Sequence, residues 1–96
     1  MDEMLTNRAF LQVAESGSFS AASIKMDVSV ATVARQVNSL EAELGVKLMN
    51  RSTRALSLTE AGMLYAERIR DVMSDLDALK REVASYQKDV KGLFRV

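Results

Sequence analysis

The side chains on which most enzymes and metal sites depend are missing from this sequence. It has no His and no Cys, which excludes imidazole general bases, Cys–His nucleophile pairs, zinc fingers and disulfides. Glu41 and Glu43 are two residues apart in a segment with helical periodicity, so they point to different faces and form no acid–base pair. A glycine-rich phosphate loop is also missing. The sequence therefore predicts no catalytic residue, no metal, no cofactor and no enzyme activity.

The cations best placed to bind an anion lie in one short segment. The whole chain is balanced, with thirteen basic and thirteen acidic residues, so no overall positive field attracts nucleic acid. Between Gly45 and Thr59, however, Lys47, Arg51 and Arg54 occur without any acid, which makes a local charge of +3. This composition favours contact with phosphate groups. The alternative is a solvated surface loop that carries arginines.

Helical periodicity predicts two helices at the start of the chain. The first covers residues 3–16, and Gly17 ends it. Ser18 then offers an N-cap oxygen for a short helix that runs to about Met26. Small residues at 20–23 allow another helix to cross this second helix closely.

A third helix follows a tight connector at Asp27 and Val28. Ser29 is its predicted N-cap and Gly45 its end. Two helices joined in this way have the shape of a helix-turn-helix, whose later helix can enter a groove of DNA. An ordinary αα-hairpin shows the same periodicity and stays open as the alternative on this stretch. The residues predicted for the core are Phe10, Val13, Phe19, Met26, Val28, Val33, Val37, Leu40, Leu44 and Leu48.

The segment over residues 46–58 changes from helical periodicity to alternation. Apolar residues alternate on both sides of a polar tip at residues 50–54, which predicts a two-stranded hairpin. A small ribbon with a cationic tip beside a helix-turn-helix is typical of a wing. This combination favours a DNA-binding winged helix over a plain helical bundle.

The rest of the chain predicts one long helix, which Thr59 caps. Gly62 lies in its first turn, where Gly costs about 1 kcal/mol relative to Ala, so close packing is expected there. Further on, apolar residues are spaced alternately by four and three, as in a coiled coil. They are Tyr65, Ile69, Val72, Leu76, Leu79, Val83, Tyr86 and Val90. A helix of about 45 Å extends beyond so small a domain, so the stripe predicts a homodimer interface, with parallel or antiparallel pairing left open. A helical protein-interaction module that captures a partner coiled coil is the alternative.

An ordered set of residues runs through the first two thirds of the chain. Its members are Phe10, Val13, Gly17, Ser18, Phe19, Ser20, Ala21, Ala22, Val28, Ser29, Val33, Leu40, Glu41, Leu44, Gly45, Leu48, Arg51, Leu58, Thr59, Ala61 and Gly62. In this order and spacing, residues 10–62 resemble the N-terminal DNA-binding domain of LysR-type transcriptional regulators. The resemblance implies a mainly α fold with three helices and a two-stranded β-hairpin wing over residues 1–58. A linker helix for dimerisation would cover residues 59–91, and residues 92–96 look like the start of an effector domain that completes a longer regulator.

The resemblance also implies partners and a location. We expect sequence-specific binding of double-stranded DNA by a homodimer, in the cytoplasm of a bacterium, with the linker helix as the dimer contact. Whether dimers join into a tetramer in the intact protein stays open. No apolar run approaches the roughly 20 residues of a membrane span, so no membrane partner is expected.

The recognition helix, residues 29–38, should present its first turns to base edges. Arg35 is the first choice for direct readout, because its planar fork can bind guanine O6 and N7 together; the alternative is a solvated surface charge. Ser18 can instead serve only as a cap, and Arg51 can instead hold the wing to the helical core. The residues predicted to contact DNA are Ser18, Ser20, Ser29, Val30, Ala31, Thr32, Arg35, Gln36, Asn38, Arg51, Thr53 and Arg54.

Three residues depart from the family's pattern where it would contact DNA. Val30 stands where Gln is common, so it can pack on a thymine methyl group but cannot make the bidentate adenine contact of an amide. Ala34 lacks the hydroxyl of the usual Ser. Asp27 stands where Gly is frequent, and an acid near the groove is unfavourable for DNA binding.

Overall fold

The computed structural model describes the backbone of residues 3–52 and 56–94 and the side chains of these residues up to Tyr86. Within these ranges the elements are α1 (Glu3–Ser16), α2 (Phe19–Met26), α3 (Val30–Leu44), β1 (Met49–Arg51), β2 (Leu56–Leu58) and α4 (Glu60–Phe94). Three helices, a hairpin and a long fourth helix confirm the predicted fold class. None of the described helices combines the length and the apolar composition needed to cross a membrane.

Side-chain caps begin the helices at the predicted residues. The Ser18 hydroxyl accepts a hydrogen bond from the Ala21 amide at 3.0 Å, and the Ser29 hydroxyl accepts one from the Thr32 amide at 3.1 Å. Thr59 does the same for the Gly62 amide at 2.9 Å. Each cap satisfies an amide that has no partner within its own helix, which is why the chain starts a helix there.

The connector between α2 and α3 depends on one left-handed residue. Asp27 has φ 57° and ψ 47°, and its amide donates to the Ile24 carbonyl at 3.2 Å. Gly adopts this conformation freely, whereas among other residues Asn and Asp tolerate it best. The backbone conformation at this position therefore matters as well as the charge of Asp27.

The core is built around α1, which contacts the other three helices. Its fully buried members are Ala9, Phe10, Val13, Ala22, Val33, Val37, Leu40 and Leu48, with Met49 and Ala66 nearly so. The core prediction is wrong for two residues, since Val28 is 39% exposed and Leu44 is 41% exposed. Val28 lies in the connector, and Leu44 is the last residue of α3, so neither is covered by another element.

The hairpin confirms the predicted wing. β1 and β2 pair in antiparallel fashion, with Met49 opposite Leu58 and Arg51 opposite Leu56. Met49 is buried, and Leu56 and Leu58 pack against the core. The base of the wing is thus part of the hydrophobic core.

The start of α4 passes very close to the chain that leads into β1. A Cβ atom added to Gly62 would overlap the Leu48 carbonyl oxygen and lie 2.9 Å from its carbonyl carbon. This confirms the expectation of close packing at Gly62. At its other end α4 continues to Phe94, through Gly92, where the sequence had suggested that the helix stops.

Two adjoining stripes of α4 have different environments. Tyr65, Ala66, Ile69 and Met73 pack towards the domain, and the rings of Phe10 and Tyr65 lie 5.7 Å apart in an edge-on arrangement. Along the predicted seam, by contrast, Val72, Leu79, Val83 and Tyr86 are 53–60% exposed. The helix therefore buries its first seam residues in its own domain and leaves the later ones uncovered. The place of all of them in a dimer interface stays a prediction.

Candidate nucleic-acid interface

The exposed face of α3 lies opposite the face that packs against the rest of the domain. Val33, Val37 and Leu40 are covered by the domain, while Val30, Ala31 and Arg35 are exposed. Arg35 forms no ion pair or side-chain hydrogen bond with any residue that the structure describes. Its fork of N–H donors is therefore available for a ligand outside the chain.

The first turn of α3 offers mainly apolar groups. The hydroxyls of Ser29 and Thr32 lie 2.8 Å apart, and the Ser29 oxygen also caps the helix. These two predicted contact residues thus use their hydroxyls on each other. Val30, which is 44% exposed, and Ala31 provide methyl groups of the kind that contact thymine.

Gln36 does not belong to this face. It is 5% exposed, because it lies on the same side of α3 as Val33 and Leu40. Its Oε1 atom is buried without a hydrogen-bond partner among the described residues. Burial removes Gln36 from the surface that can reach DNA, which corrects the expectation from the sequence.

Ser18 precedes α2 and caps it, whereas several residues of α2 itself are exposed. Ser18 acts as the N-cap, as its alternative interpretation predicted, while Ser20 is exposed. Ile24 is 80% exposed, and Lys25 beside it is exposed as well. Sequence reasoning did not single out either of these two, although the spacing of Ile24, two residues after the buried Ala22, already placed Ile24 off the buried face.

Arg51, in β1, is held by three side chains from two helices, α2 and α3. Its Nη1 donates to Asn38 Oδ1 at 2.6 Å, and its Nη2 donates to Glu41 Oε1 at 3.0 Å. The guanidinium carbon lies 5.2 Å from the centre of the Phe19 ring. Arg51 thus holds the wing to the helices, which was the alternative left open by the sequence. Asn38, also predicted to contact DNA, uses its side-chain oxygen in this arrangement.

Sequence reasoning named Glu41 but missed its structural role. Its side chain is 5% exposed, and its Oε2 accepts hydrogen bonds from the amides of Leu48 at 2.7 Å and Met49 at 3.2 Å. The Lys47 ammonium, on a side chain that is 75% exposed, lies 3.8 Å away. The signal was present in the sequence, because Glu41 follows Val37 by four residues and so shares the buried side of α3.

A second cluster of charges lies between α1 and α4. Arg70 pairs with Glu15 at 3.1 Å and Arg8 approaches Asp77 at 3.9 Å, all four side chains being roughly half exposed. Such exposed pairs contribute about 0–1 kcal/mol each. Among the residues that the structure describes, no group of three His, Cys, Asp or Glu side chains could hold a metal ion.

Tyr65 connects the same two helices from the buried side. Its hydroxyl donates to Asn7 Oδ1 at 2.6 Å. Burial raises the pKa of the Tyr65 phenol above its ordinary value, and the carboxylates of Glu43 and Glu3 raise it further. The phenol is therefore protonated at neutral pH and can donate this hydrogen bond.

Two of the predicted DNA-contacting residues and one of the predicted interface residues cannot be placed. Thr53 and Arg54, predicted to contact DNA, lie outside the described residues, and so does the side chain of Val90, predicted for the dimer interface. The described part of the chain nevertheless brings together the exposed face of α3 and the base of the wing, through the contacts of Arg51.

Comparison with known proteins identifies relatives for this arrangement. The family model "Bacterial regulatory helix-turn-helix protein, lysR family" matches residues 6–63. The transcriptional regulator CrgA of Neisseria meningitidis is 41% identical over 87 residues, which are 91% of this chain and 29% of that protein. The transcriptional activator AaeR of Escherichia coli is 34% identical over 96 residues, which are 100% of this chain and 31% of that protein. The chain thus spans less than a third of the length of these relatives.

Solved structures share the fold. The DNA-binding domain of BenM, in a complex with catB site 1 DNA, superposes with a TM-score of 0.78 at 29% identity, over 81% of this chain and 87% of that one. A full-length OxyR variant from Pseudomonas aeruginosa superposes with a TM-score of 0.81 at 28% identity, over 88% of this chain and 28% of that one.

Proposed function

The chain belongs to the LysR family of bacterial helix-turn-helix regulators, and on this premise we propose that it binds double-stranded DNA in a sequence-specific manner as a homodimer in the cytoplasm. In this proposal α3 enters the major groove, and the wing contacts the backbone or the minor groove. The observation that carries the proposal is the exposed face of α3, where Arg35, which has no partner among the described residues, follows a mainly apolar first turn.

The chemistry of this face suits base edges. A helix-turn-helix directs the first turns of its second helix at the bases. Arg35 supplies two parallel donors for guanine, and Val30 and Ala31 supply methyl groups for thymine. The complex between the BenM DNA-binding domain and catB site 1 DNA supports this proposal, because a related fold is there bound to DNA.

The exposed stripe on α4 supports the proposal of a dimer. Val72, Leu79, Val83 and Tyr86 form an apolar surface on the described part of a helix that extends beyond the domain. Covering that stripe with a second copy would place two reading heads on one duplex, with half-sites separated by about 34–36 Å or a multiple of this distance. We assign residues 1–58 to the reading head and residues 59–91 to the dimerisation helix.

The matched variants Arg35→Ala and Arg81→Ala test the role of α3. Both remove one exposed arginine, but Arg81 lies on α4, far along the chain from the reading head. We expect Arg35→Ala to weaken binding to a selected duplex by about 1–3 kcal/mol and to relax the preference at one base position. Arg81→Ala should bind that duplex like the parent chain. Equal binding by the parent and Arg35→Ala, on selected and on random duplexes, would refute this assignment.

A helical protein-interaction module is the second candidate, because the same apolar stripe could capture a partner coiled coil. The two functions differ in one solution property. A chain that pairs through α4 yet has no salt-dependent affinity for DNA would favour the interaction module.

A further inference from the structure

We propose that Glu41 and Arg51 are positioning residues that lock the wing against the recognition helix, and that Arg51 acts on DNA through this lock rather than by contacting it. The inference rests on the proposed function, since it names how that DNA-binding surface is kept in shape. The lock consists of Arg51, Glu41, Asn38 and Phe19.

The contacts of Arg51 fix its guanidinium against α2 and α3. One terminal nitrogen donates to Asn38, the other donates to Glu41, and the guanidinium also approaches the ring of Phe19. The side chain is 34% exposed. These two hydrogen bonds use two of the five N–H donors of the guanidinium and fix the orientation of its plane, and the one to Glu41 is charge-assisted.

Glu41 gives the lock its second attachment. The carboxylate accepts hydrogen bonds from the amides of Leu48 and Met49, where the chain turns into β1, and it also pairs with Arg51 at the end of that strand. One buried side chain of α3 therefore fixes both ends of β1. A buried carboxylate is costly unless it is paired and hydrogen-bonded, so this arrangement favours one orientation of β1 relative to α3.

The position of the lock connects it with DNA binding. Arg51 forms the last described pair of the hairpin, opposite Leu56, and Asn38 lies on the exposed side of α3. Phe19 begins α2. The guanidinium thus joins both helices of the helix-turn-helix to the wing, so that the recognition helix and the wing meet a duplex with a fixed separation.

The direction in which Glu41→Gln changes the affinity for DNA distinguishes a positioning role of Arg51 from direct contact. Glu41→Gln removes a negative charge while keeping the size of the side chain. If Arg51 contacted phosphate, this change would release Arg51 and bring DNA binding to the parent level or above it. If the lock positions the wing, Glu41→Gln should instead weaken binding by about tenfold, which corresponds to about 1.4 kcal/mol.

We would measure binding of a selected duplex by the parent, Glu41→Gln, Arg51→Gln and the double variant, under conditions where circular dichroism shows each to be folded. Arg51→Lys keeps the charge but loses the planar fork, so it should also bind weakly. The double variant should be no weaker than the weaker single one, because both changes break one unit. Arg35→Ala, by contrast, should weaken DNA binding by its full amount when it is combined with either single variant. Unchanged or tighter binding by Glu41→Gln, or full binding by Arg51→Lys, would overturn the proposal.

Hydrogen exchange provides a readout that needs no DNA. In Glu41→Gln the amides of Leu48 and Met49 should exchange faster than in the parent, while the amides in the middle of α3 keep their protection. Unchanged exchange at Leu48 and Met49 would refute the lock itself. A parent chain that binds no duplex would refute the proposed function, whereas the exchange experiment would still decide whether Glu41 holds β1.

Discussion

For Gly62→Ala, the structure predicts a change in stability opposite to the one that helix propensity predicts. Ala is more favourable than Gly in a helix interior by about 1 kcal/mol, so at an open position this change would stabilise α4. At Gly62, however, the new Cβ atom would overlap the carbonyl oxygen of Leu48. That same oxygen accepts a hydrogen bond from the Thr59 amide at 3.0 Å.

The magnitude follows from three contributions. Forcing a methyl group into a packed site typically costs about 1–3 kcal/mol. Displacing the Leu48 carbonyl weakens its hydrogen bond with Thr59, which costs about 0.5–1.5 kcal/mol. The gain of about 1 kcal/mol in helix propensity offsets part of this. We therefore expect the free energy of unfolding to fall by about 2 kcal/mol, and the melting temperature to fall by about 8–16 °C.

Thermal and urea unfolding followed by circular dichroism measures this change, at several protein concentrations because pairing of chains would shift the midpoint. Ala78→Gly is the matched control, since Ala78 is exposed on the same helix and should report only the loss of propensity, about 1 kcal/mol. If Gly62→Ala were instead more stable than the parent by about 1 kcal/mol, the close approach of α4 to Leu48 would be refuted.

Three further predictions concern the connector, the contact between α1 and α4, and the exposed stripe. Asp27→Gly should raise the free energy of unfolding by about 0.5–1 kcal/mol and Asp27→Val should lower it, because the residue is left-handed (φ 57°); urea unfolding would test this, and equal stabilities would contradict it. Tyr65→Phe should lower the free energy of unfolding by about 1–3 kcal/mol, since it leaves the oxygen of the buried Asn7 without its donor. Because the pKa of Tyr65 is raised, its contribution to the free energy of unfolding is complete below the unfolded-state pKa of 10.0 and is lost as the pH rises through the folded-state pKa. A loss of this stability already near neutral pH would contradict the raised pKa. Leu79→Glu should shift sedimentation from dimer to monomer while leaving the α-helical reading head folded, and an unchanged dimer would exclude this stripe as the interface.

Local hydrogen-bond chemistry made much of the fold predictable from the sequence. The N-caps at Ser18, Ser29 and Thr59 and the helix end at Gly45 depend only on neighbouring residues, so the sequence contains the information. The hairpin was predictable for a similar reason, because alternation over a few residues already separates its two faces. The exposed stripe on α4 follows from its spacing.

The roles of Gln36, Asn38 and Arg51 could not be derived in the same way. Periodicity defines the faces of α3. The width of its buried face, however, depends on elements that lie elsewhere in the sequence. Burial covers Gln36, and β1 brings Arg51 against Asn38 and Glu41 across a sequence separation of ten or more residues. Arg51, a cation in a basic segment, is therefore a structural contact, and only the fold distinguishes it from an exposed cation such as Lys47.

The most direct test of the account is a selection of binders from a random duplex pool with this 96-residue chain, carried out at two salt concentrations. A dimeric reader of DNA should enrich an interrupted palindrome whose half-sites are about one helical turn apart, with retention that falls as salt rises. No retention of any duplex at low salt would contradict the central claim and leave the exposed stripe of α4 as a site for another protein.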